Sequence, residues 1–357
     1  MHSTCLKTAA SKDAVIPGVS WQQVEHPETQ GVDSALRAEV DAALDALPTT
    51  SFMAVSGGKA LYTYGDVSEV SYLASTRKSI LSMLMGTAVC DGRIDLDLTM
   101  ADLGIDEAGG LLPIEKTARL RDLLISSSGV YHPAGSPGGD MKDVPERGSK
   151  APGTYFHYNN WDFNVLGAAF EQLTGRSVFQ ALEEDLAQPL QFEDFDPARQ
   201  RMLGYNGQSR YLAYHLFLSA RDMARITLAM TRQGAWGDRQ IVPAEWVTES
   251  TRISVPGEAM NGSRKPRVAG YSYLWWIPAA TTPEWEGAFV AAGHFGQFML
   301  GMPALDLVFV NRRAIPDDLA IARNNGTFTG EPPTVKMEQF LAVADKFVAA
   351  RLRADRG

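Results

Sequence analysis

Residues 74–85 of the chain read ASTRKSILSMLM, a polar stretch followed by an apolar run. The pattern predicts a helix that begins near Ser75, because small polar residues precede a run of apolar side chains. Residues three apart on a helix lie on one face, so we expect Lys78 beside Ser75. That end of a helix also carries unpaired backbone N–H groups and the positive end of the dipole. A desolvated lysine next to a serine hydroxyl can activate it as a nucleophile.

A structural interpretation of the same segment is also open. Ser75 could cap the helix, and Lys78 could be a solvated residue of its first turn. Ser-x-x-Lys is a short pattern that occurs by chance in chains of this length. The catalytic interpretation therefore needs partners elsewhere in the sequence.

The composition is that of an ordinary globular protein. The chain has 357 residues, of which 45% are hydrophobic and 21% charged, which suffices for one large domain or two interleaved ones. Its net charge of −9 argues against nucleic acid or an anionic membrane as a partner. The two cysteines, Cys5 and Cys90, indicate no disulfide scaffold.

Neither a membrane span nor a secretory signal is recognisable. No run approaches the roughly eighteen apolar residues that a span requires, and the first residues lack an apolar core. We therefore expect a cytoplasmic protein. A periplasmic or secreted mature chain would give the same pattern.

The predicted elements divide the chain into regions. Residues 1–30 form an irregular leader. A helix and a hairpin are predicted within 31–100, and several strands and a closing helix within 250–357, whereas helical patterns dominate 101–249. Because strands occur near both chain ends, we expect an α/β (α+β) fold with one antiparallel sheet flanked by helices and a helical second domain formed by 101–249. Within it, the Gly- and Pro-rich residues 129–153 predict a lid or wall of a site, or else a plain surface loop.

The second candidate segment is PGTYFHYNNW at residues 152–161. Tyr158 and Asn160 are two apart in a predicted turn, so both could face one cavity. A tyrosine near an ammonium group loses its proton more readily and could pass a proton to a leaving group. The alternative is a packed turn tyrosine followed by Asn160 as a helix cap.

The third candidate segment is AGHFGQ at residues 292–297, between two strand-like runs. Gly296 would let the backbone approach a ligand closely, and the strand edge could offer N–H groups to an oxyanion. His294 could contact the substrate or its leaving group. The alternative is a strand histidine bonded to a backbone carbonyl.

Together the three motifs resemble those of the serine β-lactamase and penicillin-binding-protein superfamily, in order and rough spacing. The Tyr-x-Asn form is similar to the class C β-lactamase branch, which also contains esterases, D-amino-acid peptidases and 6-aminohexanoate-dimer hydrolases. The resemblance extends to three further segments, at residues 123–129, 218–225 and 271–276. It implies a β-lactamase/transpeptidase-like fold with the active site between the sheet and the helical domain.

The resemblance also implies residue roles. Ser75 would be the acylated nucleophile, with Lys78 as its base or proton partner. Tyr158 would handle leaving-group protons, and Asn160 would hold Lys78 and the substrate. The oxyanion hole would be formed by two backbone N–H groups, those of Ser75 and Gln297. This chemistry needs no metal or organic cofactor.

Three positions call for separate comment. His294 stands where β-lactamases and peptidases usually have the lysine of Lys-Thr-Gly, and we expect it to be neutral near pH 7. This favours small esters, with amides as a further class, over β-lactams. Arg77 is expected on the outer side of its helix, the alternative being a reach into the cleft to bind an acidic group. Tyr214 lies in a region that approaches the site in the resembling family, with core packing as the alternative.

The sequence thus predicts a serine hydrolase acting on a small ester or amide through an acyl-serine intermediate. A β-lactamase, a D-amino-acid peptidase, an acyltransferase of the same fold and a non-catalytic binding protein are the alternatives. No Gly-x-Ser-x-Gly elbow, zinc-type His-Glu-x-x-His or Walker motif occurs in the chain. Nothing in the sequence indicates the oligomeric state.

Overall fold

The computed structural model describes residues 15–136, 143–205, 207–260, 269–327 and 330–356. Its strands are β1 (Ser51–Ser56), β2 (Lys59–Gly65), β3 (Ser71–Tyr72), β4 (Arg201–Leu203), β5 (Ala213–His215), β6 (Phe217–Leu218), β7 (Ala235–Trp236), β8 (Arg239–Gln240), β9 (Val255–Pro256), β10 (Gly270–Ser272), β11 (Trp275–Ile277), β12 (Phe289–Gly293), β13 (Gln297–Met302) and β14 (Leu307–Arg312).

Its α-helices are α1 (Ser34–Asp45), α2 (Thr76–Cys90), α3 (Leu120–Leu124), α4 (Asn160–Thr174), α5 (Val178–Ala181), α6 (Ala220–Thr231), α7 (Ala244–Thr251), α8 (Asp317–Asn324) and α9 (Met337–Ala354). The chain continues from α5 into a π-helical turn, Leu182–Ala187. Among the helices of the described residues, none has the length and apolar character to cross a membrane.

The main sheet joins the two ends of the chain. Its eight strands lie in the order β2-β1-β14-β13-β12-β11-β10-β9. β1 pairs antiparallel with both β2 and β14, and Ser51 lies opposite Arg312 at one end of the β1–β14 ladder. The predicted antiparallel sheet built from both chain ends is confirmed.

Helices cover both faces of this sheet. Phe309 and Arg312 are three apart in β14 and therefore point to opposite faces. Phe309 packs against Phe347 of α9, with ring centroids 5.7 Å apart, whereas Arg312 contacts Met223 of α6. The sheet is thus sandwiched between α9 on one side and α6 on the other.

The helix α6 lies within residues 101–249 of the sequence but packs on β13 and β14. The division into a sheet domain and a helical domain at these boundaries stays a prediction. So does a lid at residues 129–153, where the described parts, 129–136 and 143–153, contain neither helix nor strand. Residues 137–142 of that loop and 1–14 of the predicted leader lie outside the described residues.

Two local expectations are corrected. Among the strands expected within 250–357, the apolar and aromatic run at residues 271–277 reads as one strand, but it forms two, β10 and β11, because the chain turns at Leu274, whose φ is +69°. The two cysteines indicated no disulfide scaffold, but Cys90 is disulfide-bonded and half-buried.

Candidate active site

The start of α2 is tied to two parts of the main sheet. Thr76 Oγ1 donates a hydrogen bond to the Gln297 carbonyl at 2.8 Å, on the first residue of β13. Ser79 Oγ donates to the Leu274 carbonyl at 2.6 Å, in the β10–β11 turn. Just before the helix, Ala74 has a φ of +50°, which is strained for a residue with a side chain. These contacts and this turn set the position of Ser75.

Ser75 lies at the N-cap of α2, but its side chain makes no capping hydrogen bond within the described residues. Its hydroxyl accepts a hydrogen bond from the ammonium group of Lys78 instead, at 3.0 Å. The alternative interpretation, a capping serine beside a solvated lysine, therefore does not describe this segment.

Lys78 is buried, with 2% of its surface exposed. Its Nζ donates hydrogen bonds to three oxygens, Ser75 Oγ at 3.0 Å, Tyr158 Oη at 2.7 Å and Asn160 Oδ1 at 2.6 Å. It also lies 4.1 Å from the ring centroid of Phe163 and 4.4 Å from that of Tyr158. Hydrogen bonds are electrostatically stronger in such a low-dielectric environment.

The loop before α4 places Tyr158 and Asn160 on Lys78. Asn159, not Asn160, caps α4, since its side chain accepts a hydrogen bond from the Trp161 N–H at 3.0 Å. The Asn160 amide is consequently available to accept from Lys78. The ring of Tyr158 stacks on Trp276, with centroids 5.5 Å apart and an interplanar angle of 23°.

The β12–β13 turn lies directly against the start of α2. A Cβ on Gly293 would be 2.5 Å from the Leu73 carbonyl oxygen and 2.7 Å from Thr76 Oγ1. Only a residue without a side chain permits this approach. The contact brings the backbone of Gln297, which is buried, beside the helix N-terminus that carries Ser75.

His294 and Gly296 have other partners in this turn. The imidazole of His294 is partly exposed and contacts the carboxylate of Glu331, which Arg323 also binds at 3.2 Å. Burial acts to raise the pKa of Glu331, but its hydrogen bond to His294 and the charges of His294 and Arg323 hold it below its ordinary value. Gly296 has a φ of +111°, and a Cβ there would be 2.6 Å from Val335 Cβ. The side chain of Val335 thus leaves no room for a larger residue at position 296.

Arg77 was expected on the outer side of α2, and this prediction is wrong. The residue is buried, with 2% exposure. Its Nη2 donates to Asn164 Oδ1 at 3.2 Å, and its Cζ lies 4.4 Å from the ring centroid of Tyr214. No pattern in the sequence indicates that α4 and β5 cover this side of the helix.

Tyr214 is packed in the core, which was the alternative interpretation for this residue. Its ring touches Gly167 of α4 so closely that a Cβ there would be 2.5 Å from Tyr214 Cδ1. Burial raises the pKa of the Tyr214 phenol well above its ordinary value, although the charge of Arg77 acts against this.

His215, the neighbour of Tyr214, was missed by the sequence analysis. It is buried in β5, and its ring centroid lies 5.1 Å from that of Tyr72. Burial, followed by the charges of Arg77, Lys78 and Arg323, holds the pKa of His215 well below its ordinary value. A histidine within a short strand gives no recognisable motif.

Phe163, which covers Lys78, was not singled out, and Trp276, which stacks on Tyr158, was noted only as part of residues 271–276. The only available signals were the aromatic residues near 271–276 and at the start of α4. The structure thus brings together Ser75, Lys78, Tyr158 and Asn160, and places the Gln297 backbone beside them. Arg77 and Tyr214 do not belong to this group; they are buried and stack on each other.

Comparison with known proteins assigns the chain to a family. The model of the beta-lactamase family matches residues 36–311. No curated protein matches the sequence. Solved structures with the same fold include a protein from Bacillus anthracis provisionally described as a 6-aminohexanoate-dimer hydrolase, with 17% identity, a TM-score of 0.63 and coverage of 98% of this chain and 90% of that one.

Two further structures are similar at comparable levels. A beta-lactamase from Mycobacterium bovis shows 19% identity and a TM-score of 0.57, covering 87% of this chain and 99% of its own. A family VIII carboxylesterase shows 15% identity and a TM-score of 0.60, covering 93% and 98%. At such identities the likeness shows the fold alone. The match of the family model over most of the chain shows that the protein belongs to the beta-lactamase family, a family of hydrolases.

Proposed function

We propose that the protein is a serine hydrolase that cleaves small carboxylic esters, with amides as a second substrate class, through an acyl-Ser75 intermediate. The observation that carries this proposal is the buried Lys78 amine, hydrogen-bonded to Ser75 Oγ, Tyr158 Oη and Asn160 Oδ1. A nucleophile, its base and a second proton carrier are thus within one hydrogen-bonded group.

In the acylation step, neutral Lys78 takes the proton of Ser75 as Oγ attacks the carbonyl carbon of the ester. The carbonyl oxygen becomes negatively charged, and the backbone N–H groups of Ser75 and Gln297 stabilise it. Collapse of this intermediate breaks the bond to the leaving alcohol. Tyr158 donates a proton to the departing oxygen and is reprotonated by Lys78.

In the deacylation step, water replaces the alcohol. A proton of the water passes to neutral Lys78, directly or through Tyr158, as the water oxygen attacks the acyl carbon. The second tetrahedral intermediate is held by the same two N–H groups. Collapse breaks the bond to Ser75 Oγ, which takes the proton back from Lys78, and the carboxylic acid leaves.

The surroundings of His294 support esters over β-lactams. A β-lactam or cell-wall peptide carries a carboxylate, and in the resembling enzymes a strand lysine helps to bind it. Here the corresponding His294 contacts the carboxylate of Glu331. A substrate carboxylate at this position would have to compete with Glu331 for the imidazole, which disfavours its binding.

The test is intact-mass spectrometry during turnover of a short-chain p-nitrophenyl ester, a chromogenic cephalosporin and a linear amide. Ser75→Ala is the test variant. Ser82→Ala is the matched control, because Ser82 is a buried serine of the same helix whose Oγ has no hydrogen-bond partner among the described residues. We expect an acyl adduct in the native protein and the control, none in Ser75→Ala, and the fastest turnover with the ester.

Other outcomes assign the alternatives. Rapid opening of the cephalosporin would identify a β-lactamase. Fast cleavage of a D-amino-acid amide, used as the linear amide, would identify a peptidase. An adduct released only after an alcohol or amine is added would identify an acyltransferase. Absence of both adduct and turnover would favour a binding protein and contradict the proposal.

A further inference from the structure

Arg77 is a buried cation without an anionic partner in the described part of the chain. No ion pair of its guanidinium is present there, and its Nε and Nη1 atoms have no hydrogen-bond acceptor. Arg225, which is equally buried, pairs with Glu193 at 2.8 Å. Burial of an uncompensated charge is unfavourable, and among the described buried arginines Arg77 shares this lack of an ion pair with Arg312.

The position of Arg77 relates it to the Lys78–Tyr158 pair. Its hydrogen-bond acceptor, Asn164, follows Phe163, whose ring covers Lys78 Nζ. Its stacking partner, Tyr214, also lies within electrostatic range of Tyr158. Arg77 thus shares its neighbours with the pair, since Tyr214 is influenced by both Arg77 and Tyr158, and His215 by both Arg77 and Lys78.

We propose that Arg77 acts as a positioning residue that lowers the proton affinity of the coupled Lys78–Tyr158 pair through its permanent charge. The inference rests on the proposed acyl-serine mechanism. A fixed cation disfavours the protonated form of any nearby group, and two groups that share protons respond as a unit. The basic form of the pair is thus available at a lower pH than it would be without Arg77.

Other groups around the pair do not replace this charge. Tyr214 and His215 lie near the Lys78–Tyr158 pair, on β5. Burial raises the pKa of Tyr214, so its phenol stays protonated, and lowers the pKa of His215, so its imidazole stays neutral. Tyr271 faces Tyr158 from β10, with ring centroids 6.3 Å apart. Arg323 of α8 lies within electrostatic range of His215, but Glu331 offsets its charge. Among the described buried arginines, Arg77 and Arg312 form no ion pair, and Arg312 contacts Met223, Ser71 and the Tyr72 carbonyl rather than the Lys78–Tyr158 pair.

Direct contact with substrate does not explain Arg77. Only 2% of its surface is exposed, and its planar group is held between Tyr214 and Asn164. Its effect must therefore be transmitted through space. Electrostatic effects of this kind are stronger in a desolvated site than in water.

The test compares the pH dependence of kcat/KM for a p-nitrophenyl ester in three variants. Arg77→Met removes the charge and keeps an apolar stem, whereas Arg77→Lys keeps the charge. Asn164→Ala removes the hydrogen-bond acceptor of Arg77 and leaves the charge in place. We expect the acid limb of the profile to move to higher pH by on the order of one unit in Arg77→Met and to stay in place in the other two.

At a pH on the acid limb, this shift lowers the rate of Arg77→Met about tenfold, while the plateau at high pH is largely kept. An equal loss at every pH would show a structural role and overturn the inference. So would an equal shift in Arg77→Lys. If urea titration shows that Arg77→Met is not folded, Arg77→Gln is used as the variant with a neutral side chain.

The outcome is separable from that of the proposed function. Acyl-adduct formation at the plateau pH tests the mechanism and does not depend on the charge of residue 77. An adduct in Arg77→Met with an unshifted acid limb would reject the role of Arg77 alone. Activity that persists in Ser75→Ala would reject the mechanism itself.

Discussion

At the scale of single residues, Lys78 has to satisfy three acceptors with an amine whose donor count changes. The ammonium form has three N–H groups, whereas the neutral form has two and a lone pair. The carbonyl oxygen of Asn160 can only accept, so neutral Lys78 must keep donating to it. The lone pair must then face a hydroxyl, that of Ser75 or Tyr158. In the proposed mechanism, Asn160 thus directs the basic lone pair of Lys78 toward the hydroxyl groups of Ser75 and Tyr158.

The role assigned to Tyr158 leads to a prediction about leaving groups. Tyr158→Phe keeps the ring stacked on Trp276 and removes only the Oη that Lys78 contacts. An alkoxide needs a proton to leave, whereas p-nitrophenolate does not. We therefore expect a loss in kcat/KM of about 10²–10⁴-fold for an alkyl ester and a clearly smaller loss for the p-nitrophenyl ester.

The measurement is a comparison of the two esters in both proteins, with circular dichroism to show that the variant is folded. Equal losses for the two esters would contradict leaving-group protonation. They would instead place Tyr158 at the activation of Ser75, which both substrates share.

At the scale of elements, the site depends on how closely the β12–β13 turn approaches the start of α2. The approach is closest at Gly293, next to the carbonyl of Leu73 and the hydroxyl of Thr76. The Thr76 hydroxyl in turn binds the carbonyl of Gln297. The proposed oxyanion hole draws one N–H from each of these elements, so their separation sets its size.

Gly293→Ala tests this dependence. Its methyl group would be 2.5 Å from a backbone oxygen, and a backbone atom cannot move aside as the end of a flexible side chain can. We expect a stability loss of about 1–3 kcal/mol from overpacking, together with a lower kcat for ester hydrolysis. Urea unfolding and steady-state kinetics measure the two effects.

Gly18→Ala is the matched control, because no described atom would lie within 4 Å of the new Cβ. It should change neither quantity appreciably. If Gly293→Ala were destabilised but kept its full kcat, the separation between the β12–β13 turn and the start of α2 would not govern catalysis.

At the scale of the whole molecule, the parts of the fold readable from sequence are those with local signals. The hairpin of β1 and β2 was recognisable from glycines between apolar runs, and α2 from its apolar run. The turn at Leu274 was not, because a leucine with positive φ is atypical. The burial of Arg77 depends on packing by α4 and β5, which no pattern in residues 74–85 encodes.

The candidate site shows the same limit. Ser75, Lys78, Tyr158 and Asn160 could be predicted as candidates because short motifs and an overall resemblance carry them, and the structure brings them together. Their supporting residues were not found, since a single phenylalanine or histidine has no motif. The helix cap shows the same limit at the level of one residue. One interpretation of the sequence placed Asn160 at the N-cap of α4, but the structure has Asn159 there.

Helix α6 packs on the sheet and carries a buried carboxyl group that binds the backbone of residues 193–194. Asp222, in the first turn of α6, accepts hydrogen bonds from the N–H groups of Glu193 at 2.7 Å and Asp194 at 3.2 Å. Burial raises the pKa of Asp222 to about 7 from an ordinary 3.8; the Glu193 N–H bond acts against this, and the charge of Asp194 adds to it. The folded protein therefore retains a proton that the unfolded chain releases between these values.

The stability contributed by protonated Asp222 is fully present below pH 3.8 and is lost as the pH rises through about 7. The difference between the two pKa values corresponds to at most about 4 kcal/mol. Other carboxyl groups also titrate, so the informative quantity is the difference in unfolding free energy between native protein and Asp222→Asn, measured by urea titration from pH 4 to 8. Asparagine cannot accept both N–H groups, so the variant should be less stable at low pH. The difference in unfolding free energy between the two proteins should narrow as the pH rises, because the native protein must then bury the ionised carboxylate of Asp222, whereas the variant has no charge there. A gap that stays constant or widens would show that Asp222 is ionised throughout, held so by its two N–H donors.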